Sequence, residues 1–260
     1  MGGHTDVDGL DTWIDVRGSG ERTVVLLHGG MGNSDDLLDS IGPRLEDRFR
    51  LVAFDRRGHG RTRDTDEPFH YDDMATHTIA VLERPEIAAA ATGVDLVGWS
   101  DGAIVAMLVA IRRPDLVDRL VLIGGNFHYD GVHELDSSGE PEQSPLYEGY
   151  AARSPDGPDH YRAVAEKWMT LITTEPTLTT ADLARIDHPA LVLAGDDDLV
   201  KLAHTVELFE ALPAGRLCIL PGTSHLVPFE RAELVASVIA DFLEGPAEPA
   251  TMLPVRRRPA

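Results

Sequence analysis

Gly98-Trp99-Ser100-Asp101-Gly102 is the stretch on which the reading of this 260-residue chain turns. The apolar run Val94-Asp95-Leu96-Val97 precedes it, and the helix-compatible run Ala103 to Ala110 follows. Strand, tight turn and helix together form the setting in which the pattern G-x-S-x-G carries chemistry. A serine at the apex of such a turn takes strained backbone angles. Glycines two residues to either side remove side chains that would collide there, so the hydroxyl stands clear above the sheet. Five residues alone are a weak pattern; the flanking strand and helix give it weight.

Working outward, short β-branched or leucine-rich runs recur between Gly, Pro and Asp. They are Thr23 to Leu27, Leu51 to Phe54, Val94 to Val97, Leu120 to Ile123, Ala190 to Ala194 and Leu217 to Leu220. Each reads as a strand buried on both faces of a largely parallel sheet, and Trp13 to Val16 reads as an antiparallel edge strand. Helices are predicted between them at Asp35 to Leu45, Asp72 to Ala91, Asp101 to Arg112, His204 to Leu212 and Arg231 to Leu243. The alternation implies right-handed crossovers and a sheet between two helical layers. The rhythm breaks from about Asn126 to Ile186. His128 to Asp159 is polar and Pro/Ser/Gly-rich, whereas Tyr161 to Ile172 reads as an amphipathic helix carrying Trp168 and Met169. The division expected is a core of residues 8–126 and 188–244, an inserted lid at 127–187, and a disordered tail at 245–260 ending in Arg256-Arg257-Arg258.

A formal charge of −21 opposes binding to nucleic acid or an anionic membrane surface. The single cysteine, Cys218, excludes an internal disulfide and a cysteine zinc site, and its apolar neighbours suggest a buried structural thiol. The polar N-terminus resembles no signal peptide, and no run approaches a membrane span, so a soluble, cytoplasmic protein is expected.

A serine hydroxyl near neutral pH needs a base within hydrogen-bond reach. Among 11 histidines, His225 stands out. It lies in Pro221-Gly222-Thr223-Ser224-His225, after the last predicted strand, where the order Ser, acid, His puts the base. The acid belongs in the loop after the preceding strand, where Gly195-Asp196-Asp197-Asp198 offers three carboxylates. The spacing Gly-x-x-Asp selects Asp198, with Asp197 as the alternative and Asp196 free to cap the next helix. Two backbone N–H groups must face the developing oxyanion. One is the amide of Asp101. The other comes from His28-Gly29-Gly30-Met31-Gly32, with Gly30 chosen ahead of Met31. The segment Asp55 to Thr62, with Arg56 and His59 inside it, reads as a braced structural turn.

Taken together, His28-Gly29-Gly30, Asp55 to Thr62, G-x-S-x-G, Gly-x-x-Asp and His225 resemble the α/β-hydrolase superfamily over residues 8–244. The resemblance implies an α/β-hydrolase fold, a mostly parallel sheet flanked by helices with an inserted helical lid. It also implies two-step acyl transfer on a small carboxylic ester, thioester or lactone, without metal or organic cofactor. The alternatives on the same fold are C–C bond hydrolysis, perhydrolysis, a biosynthetic cyclisation, or ligand binding without catalysis. The elbow, Gly125-Asn126 and Glu166-Lys167-Trp168 look like the valacyclovir hydrolase (biphenyl hydrolase-like) family. In that family the aspartate after the nucleophile binds the α-amino group of an amino-acid ester. The resemblance therefore implies a substrate contact for Asp101, with Trp99 and Trp168 beside it. The other reading of Asp101 is an acid at a helix start, favoured there by the macrodipole.

Overall fold

Among the described residues, eight strands carry the structure: β1 (Gly3–Val7), β2 (Leu10–Arg17), β3 (Thr23–Leu27), β4 (Arg50–Phe54), β5 (Val94–Trp99), β6 (Val117–Ile123), β7 (Ala190–Asp197) and β8 (Gly215–Ser224). Successive strand side chains face opposite ways, and in the central strands both faces are apolar. Val25 and Leu27 of β3 enter one core while Val24 and Leu26 enter the other, and β6 divides Leu120 and Leu122 from Val121 and Ile123. Such strands need helices on both sides. The computed structural model, which describes residues 2–88, 93–134, 139–248 and 251–253, has them. The sheet order is β1-β2-β4-β3-β5-β6-β7-β8. The pairs β1–β2 and β2–β4 are antiparallel and the rest parallel.

The helices are α1 (Asp35–Ser40), α2 (Tyr71–Leu82), α3 (Asp101–Arg112), α4 (Tyr147–Ala151), α5 (Tyr161–Thr174), α6 (Thr180–Leu183), α7 (Leu202–Ala211), α8 (Val227–Glu230) and α9 (Ala232–Glu244). α2, α3 and α7 pack into one core, with Val164 and Leu171 of α5; α1 and α9 pack into the other. The six strands β3 to β8 are parallel to one another, so their carboxyl ends share one edge of the sheet. The turns after β3, β5, β7 and β8, which hold the candidate residues, meet there.

The structure departs from the sequence expectations at identifiable places. Trp13 to Val16 is antiparallel but not at the edge: β1 pairs outside it, through a hairpin whose Asp8-Gly9 turn has φ of 52° and 88°. Asp-Gly is a strong hairpin turn because both positions accept positive φ. The first predicted helix stops at Ser40 and resumes as a 3-10 turn at Gly42–Arg44, where Pro43 can donate no helical hydrogen bond. The second ends at Leu82, shortly before Pro85, and its predicted end at 89–91 lies outside the described residues. Cys218 is half-buried, since β8 is an edge strand. Among its described residues, the polar interval after β6 contains α4 and three 3-10 turns, and Tyr147 and Tyr150 pack edge-on against Tyr161. The start of the tail is anchored: Arg119 donates to the Gly245 carbonyl at 2.8 Å and Arg216 to the Ala247 carbonyl at 2.8 Å. Residues 249–250 and 254–260, with the arginine run, lie outside the described residues.

Candidate active site

Ser100 sits between β5 and α3 with φ 55° and ψ −120°, a region costing roughly 1–3 kcal/mol that persists only where the surroundings enforce it. The two glycines explain how. A Cβ on Gly98 would stand 2.2 Å from the Gly102 carbonyl oxygen, and one on Gly102 would stand 2.0 Å from that of Leu27. Strand and helix therefore approach more closely than any side chain permits. The Ser100 amide donates to the Ile123 carbonyl at 2.8 Å, tying the turn to β6.

His225 and Asp198 complete a hydrogen-bonded line with this hydroxyl. His225 Nε2 lies 2.9 Å from Ser100 Oγ, and Nδ1 lies 2.7 Å from Asp198 Oδ1. The carboxylate accepts only, so the ring proton belongs on Nδ1, and Nε2 is left as the acceptor for the serine proton. Asp198 is held by the Val200 amide, which donates to Oδ1 at 2.9 Å, and its side chain is 2% exposed. Of the acidic triplet, Asp197 is exposed. Asp196 caps no helix: its Oδ1 accepts from the amides of Gly222 (2.7 Å) and Thr223 (3.3 Å), fixing the turn that leads to His225.

Trp99 does not line the cleft. Its indole N–H donates to the His225 carbonyl at 2.9 Å, and its ring packs near the imidazole, 5.8 Å between centroids. It braces His225.

Opposite the serine, the turn after β3 passes close to the elbow. A Cβ on Gly29 would stand 3.4 Å from Ser100 Cβ. One on Gly30 would stand 2.6 Å from Asp101 Oδ2 and 2.1 Å from Trp168 Nε1, so only glycine fits at position 30. Met31 follows with φ 56° and is buried. Among the described residues, neither the Gly30 nor the Met31 amide donates to another protein group.

Asp101 is buried beside Ser100, and both its oxygens are engaged. Oδ1 accepts from the Tyr71 hydroxyl at 2.9 Å and Oδ2 from the Trp168 indole at 3.1 Å. Burial raises its carboxyl pKa, an effect opposed by the nearby Arg56 charge and by these two donors. Burial and the same carboxylate push the Tyr71 phenol well above its ordinary value. Tyr71 is the site residue that the sequence reading missed. It is placed by Glu175, which accepts from the Tyr71 amide at 3.0 Å and pairs with His70 at 2.6 Å. No local motif announces these residues, because α2 and the turn after α5 meet only in the fold.

Ser100, Asp101, His225, Tyr71 and Trp168 open onto a cleft of about 610 Å³. Met169, Ile172, Leu199 and Val200 give it an apolar wall, and Asp130, Glu134 and Glu175 make the remainder acidic. Lys201 also lies there, with Nζ donating to the Asp130 carbonyl at 2.7 Å. The segment over the cleft is tied to the core by charge: Lys167 and His160 each lie 2.8 Å from Asp64, and Arg153 lies 2.9 Å from Asp35. No group of three or more His, Cys, Asp or Glu among the described residues is arranged to hold a metal ion.

The family model for the alpha/beta hydrolase family matches residues 24–238, most of the chain. The chain belongs to the alpha/beta hydrolase family. This α/β hydrolase is 27% identical over 256 residues to human serine hydrolase BPHL, covering 92% of this chain and 84% of the relative. It is 25% identical over 256 residues to the pimeloyl-[acyl-carrier protein] methyl ester esterase of Edwardsiella ictaluri, covering 88% and 95%. Among solved structures, the enol-lactonase from Burkholderia xenovorans superposes with a TM-score of 0.72 at 19% identity, covering 94% of this chain and all of the other. That last likeness concerns the fold. No helix among the described residues of this α/β hydrolase is long and apolar enough to cross a membrane.

Proposed function

We propose that this α/β hydrolase is a serine hydrolase that cleaves a small carboxylic ester, thioester or lactone through an acyl-enzyme. The observation that carries the reading is the line Ser100 Oγ to His225 Nε2 to Asp198 Oδ1, with steps of 2.9 and 2.7 Å. In this reading Ser100 Oγ attacks the carbonyl carbon while His225 takes its proton, and Asp198 stabilises the imidazolium. The amides of Asp101 and Gly30 receive the oxyanion. Collapse breaks the bond to the leaving group, which takes the proton from His225. Water, deprotonated by the same base, then releases the acid and restores the serine. Residues 127–187 act as the lid, with α5 and its Trp168 over the cleft.

Within that class we propose α-amino-acid esters as the preferred substrates, the ammonium binding Asp101. Support comes from a buried carboxylate adjacent to the nucleophile and from an acidic cleft wall. An amine would also offset the repulsion between this carboxylate and the developing oxyanion. The test is a panel of matched α-amino and des-amino esters. Asp101→Asn is expected to lower the amino/des-amino ratio of kcat/KM by about tenfold to a hundredfold, the worth of one charge-assisted hydrogen bond. An unchanged ratio would show Asp101 to be a hub that merely holds Tyr71 and Trp168.

The sign of the pH dependence follows from the direction of the Asp101 shift. Its raised pKa means that the carboxylate is lost at a higher pH than an ordinary aspartate. The amino preference is therefore present above that pKa and declines as pH falls through it. The des-amino esters lack that decline, so the ratio across pH isolates Asp101 from every group that both substrates share.

A further inference from the structure

The second residue of the segment Asp55 to Thr62 has a role beyond bracing its own turn. Arg56 is 1% exposed, and burying a guanidinium costs several kcal/mol unless its hydrogen bonds are well made. The turn itself is already braced by Asp55, whose two oxygens accept from the amides of Ser34 (2.6 Å) and Arg61 (2.7 Å). Arg56 spends its donors elsewhere: Nη1 donates to the His28 carbonyl at 2.7 Å and Nη2 to the Gly29 carbonyl at 3.0 Å. His28 joins it. Its Nε2 accepts the Arg56 amide at 3.2 Å, so the ring proton sits on Nδ1 and is donated to the Gly29 carbonyl at 2.7 Å.

We infer that Arg56 is a positioning residue that aims the Gly30 amide at the oxygen of the reacting carbonyl. The peptide joining Gly29 to Gly30 is planar and trans, so its C=O and N–H point to opposite sides. Arg56 and His28 hold the oxygen on one side and thereby fix the direction of the Gly30 N–H on the other. The approach of Gly29 to Ser100 and of Gly30 to Asp101 places that amide beside the elbow. A flexible glycine pair would otherwise reorganise when charge develops, which preorganised donors avoid.

This inference rests on the serine-hydrolase reading, and the test separates the two. Arg56→Lys keeps the charge but loses the fork, while His28→Phe keeps Arg56 and the ring volume but removes the second donor to Gly29. Both are assayed with p-nitrophenyl acetate and with a p-nitrophenyl phosphonate, whose phosphoryl oxygen must occupy the oxyanion position. Each folded variant is expected to lose about tenfold to a hundredfold in kcat, short of deleting one donor outright. KM is expected within about twofold of the wild type, and the phosphonylation rate is expected to fall by the same factor as kcat. A merely structural role lowers Tm without that split. A kcat and phosphonylation rate within about twofold of the wild type in whichever variant folds would overturn the inference and leave the serine reading intact. A wild type inert to both reagents would instead remove the serine reading, and this inference with it.

Discussion

Ser100→Ala is expected to lower kcat on activated esters by about 10⁴-fold or more, to the residual rate that binding and the backbone amides alone supply. The fold is expected to survive. The elbow is held by the Gly98 and Gly102 contacts and by the Ser100 amide on Ile123, none of which uses the hydroxyl. The unfolding midpoint therefore stays near that of the wild type, and the loss is read as chemistry. Retention of more than about a hundredth of the wild-type kcat would place the nucleophile elsewhere, well outside the expected range.

The second large effect is at the acid. Asp198→Asn preserves shape but offers His225 Nδ1 an amide in place of a carboxylate. The wrong imidazole tautomer is then favoured and the imidazolium loses its counter-charge, so kcat is expected to fall by about 10³- to 10⁴-fold. The neighbours supply the controls. Asp197 is exposed at the end of β7, and Asp197→Asn is expected to change kcat by less than about threefold. Asp196→Asn keeps an acceptor for the Gly222 and Thr223 amides and is expected to act through stability, as a lower unfolding midpoint. If Asp197→Asn gave the large loss instead, the triplet would have been assigned in the wrong register.

Much of the frame was legible because the features that make it are local. Thr23–Leu27 and Asp101–Arg112 have the bounds that apolar runs and turn residues indicate, and Ser100, Asp198 and His225 each lie just past a strand end. What stayed hidden depends on contacts far apart in the chain. Tyr71 reaches Asp101 across 30 positions, and Glu175 places Tyr71 across 104. The resemblance puts Trp99 beside the substrate, whereas its indole N–H donates to the His225 carbonyl, a contact made across 126 positions of the chain. The outer strand β1 was passed over because Gly3 to Val7 is largely polar and exposed. An edge strand needs little apolar sequence when pairing supplies its hydrogen bonds. Its local signal is Asp8-Gly9, a dipeptide suited to a tight hairpin turn.

The claim at the centre is that Ser100 Oγ is the atom that attacks. It is tested most directly by treating the wild-type protein with a p-nitrophenyl phosphonate and measuring intact and peptide masses. One phosphonyl group per chain is expected, on the peptide containing Ser100, with release of one equivalent of p-nitrophenolate and matching loss of esterase activity. Stoichiometric labelling of any other residue with activity lost, or full activity with Ser100 labelled, would contradict it.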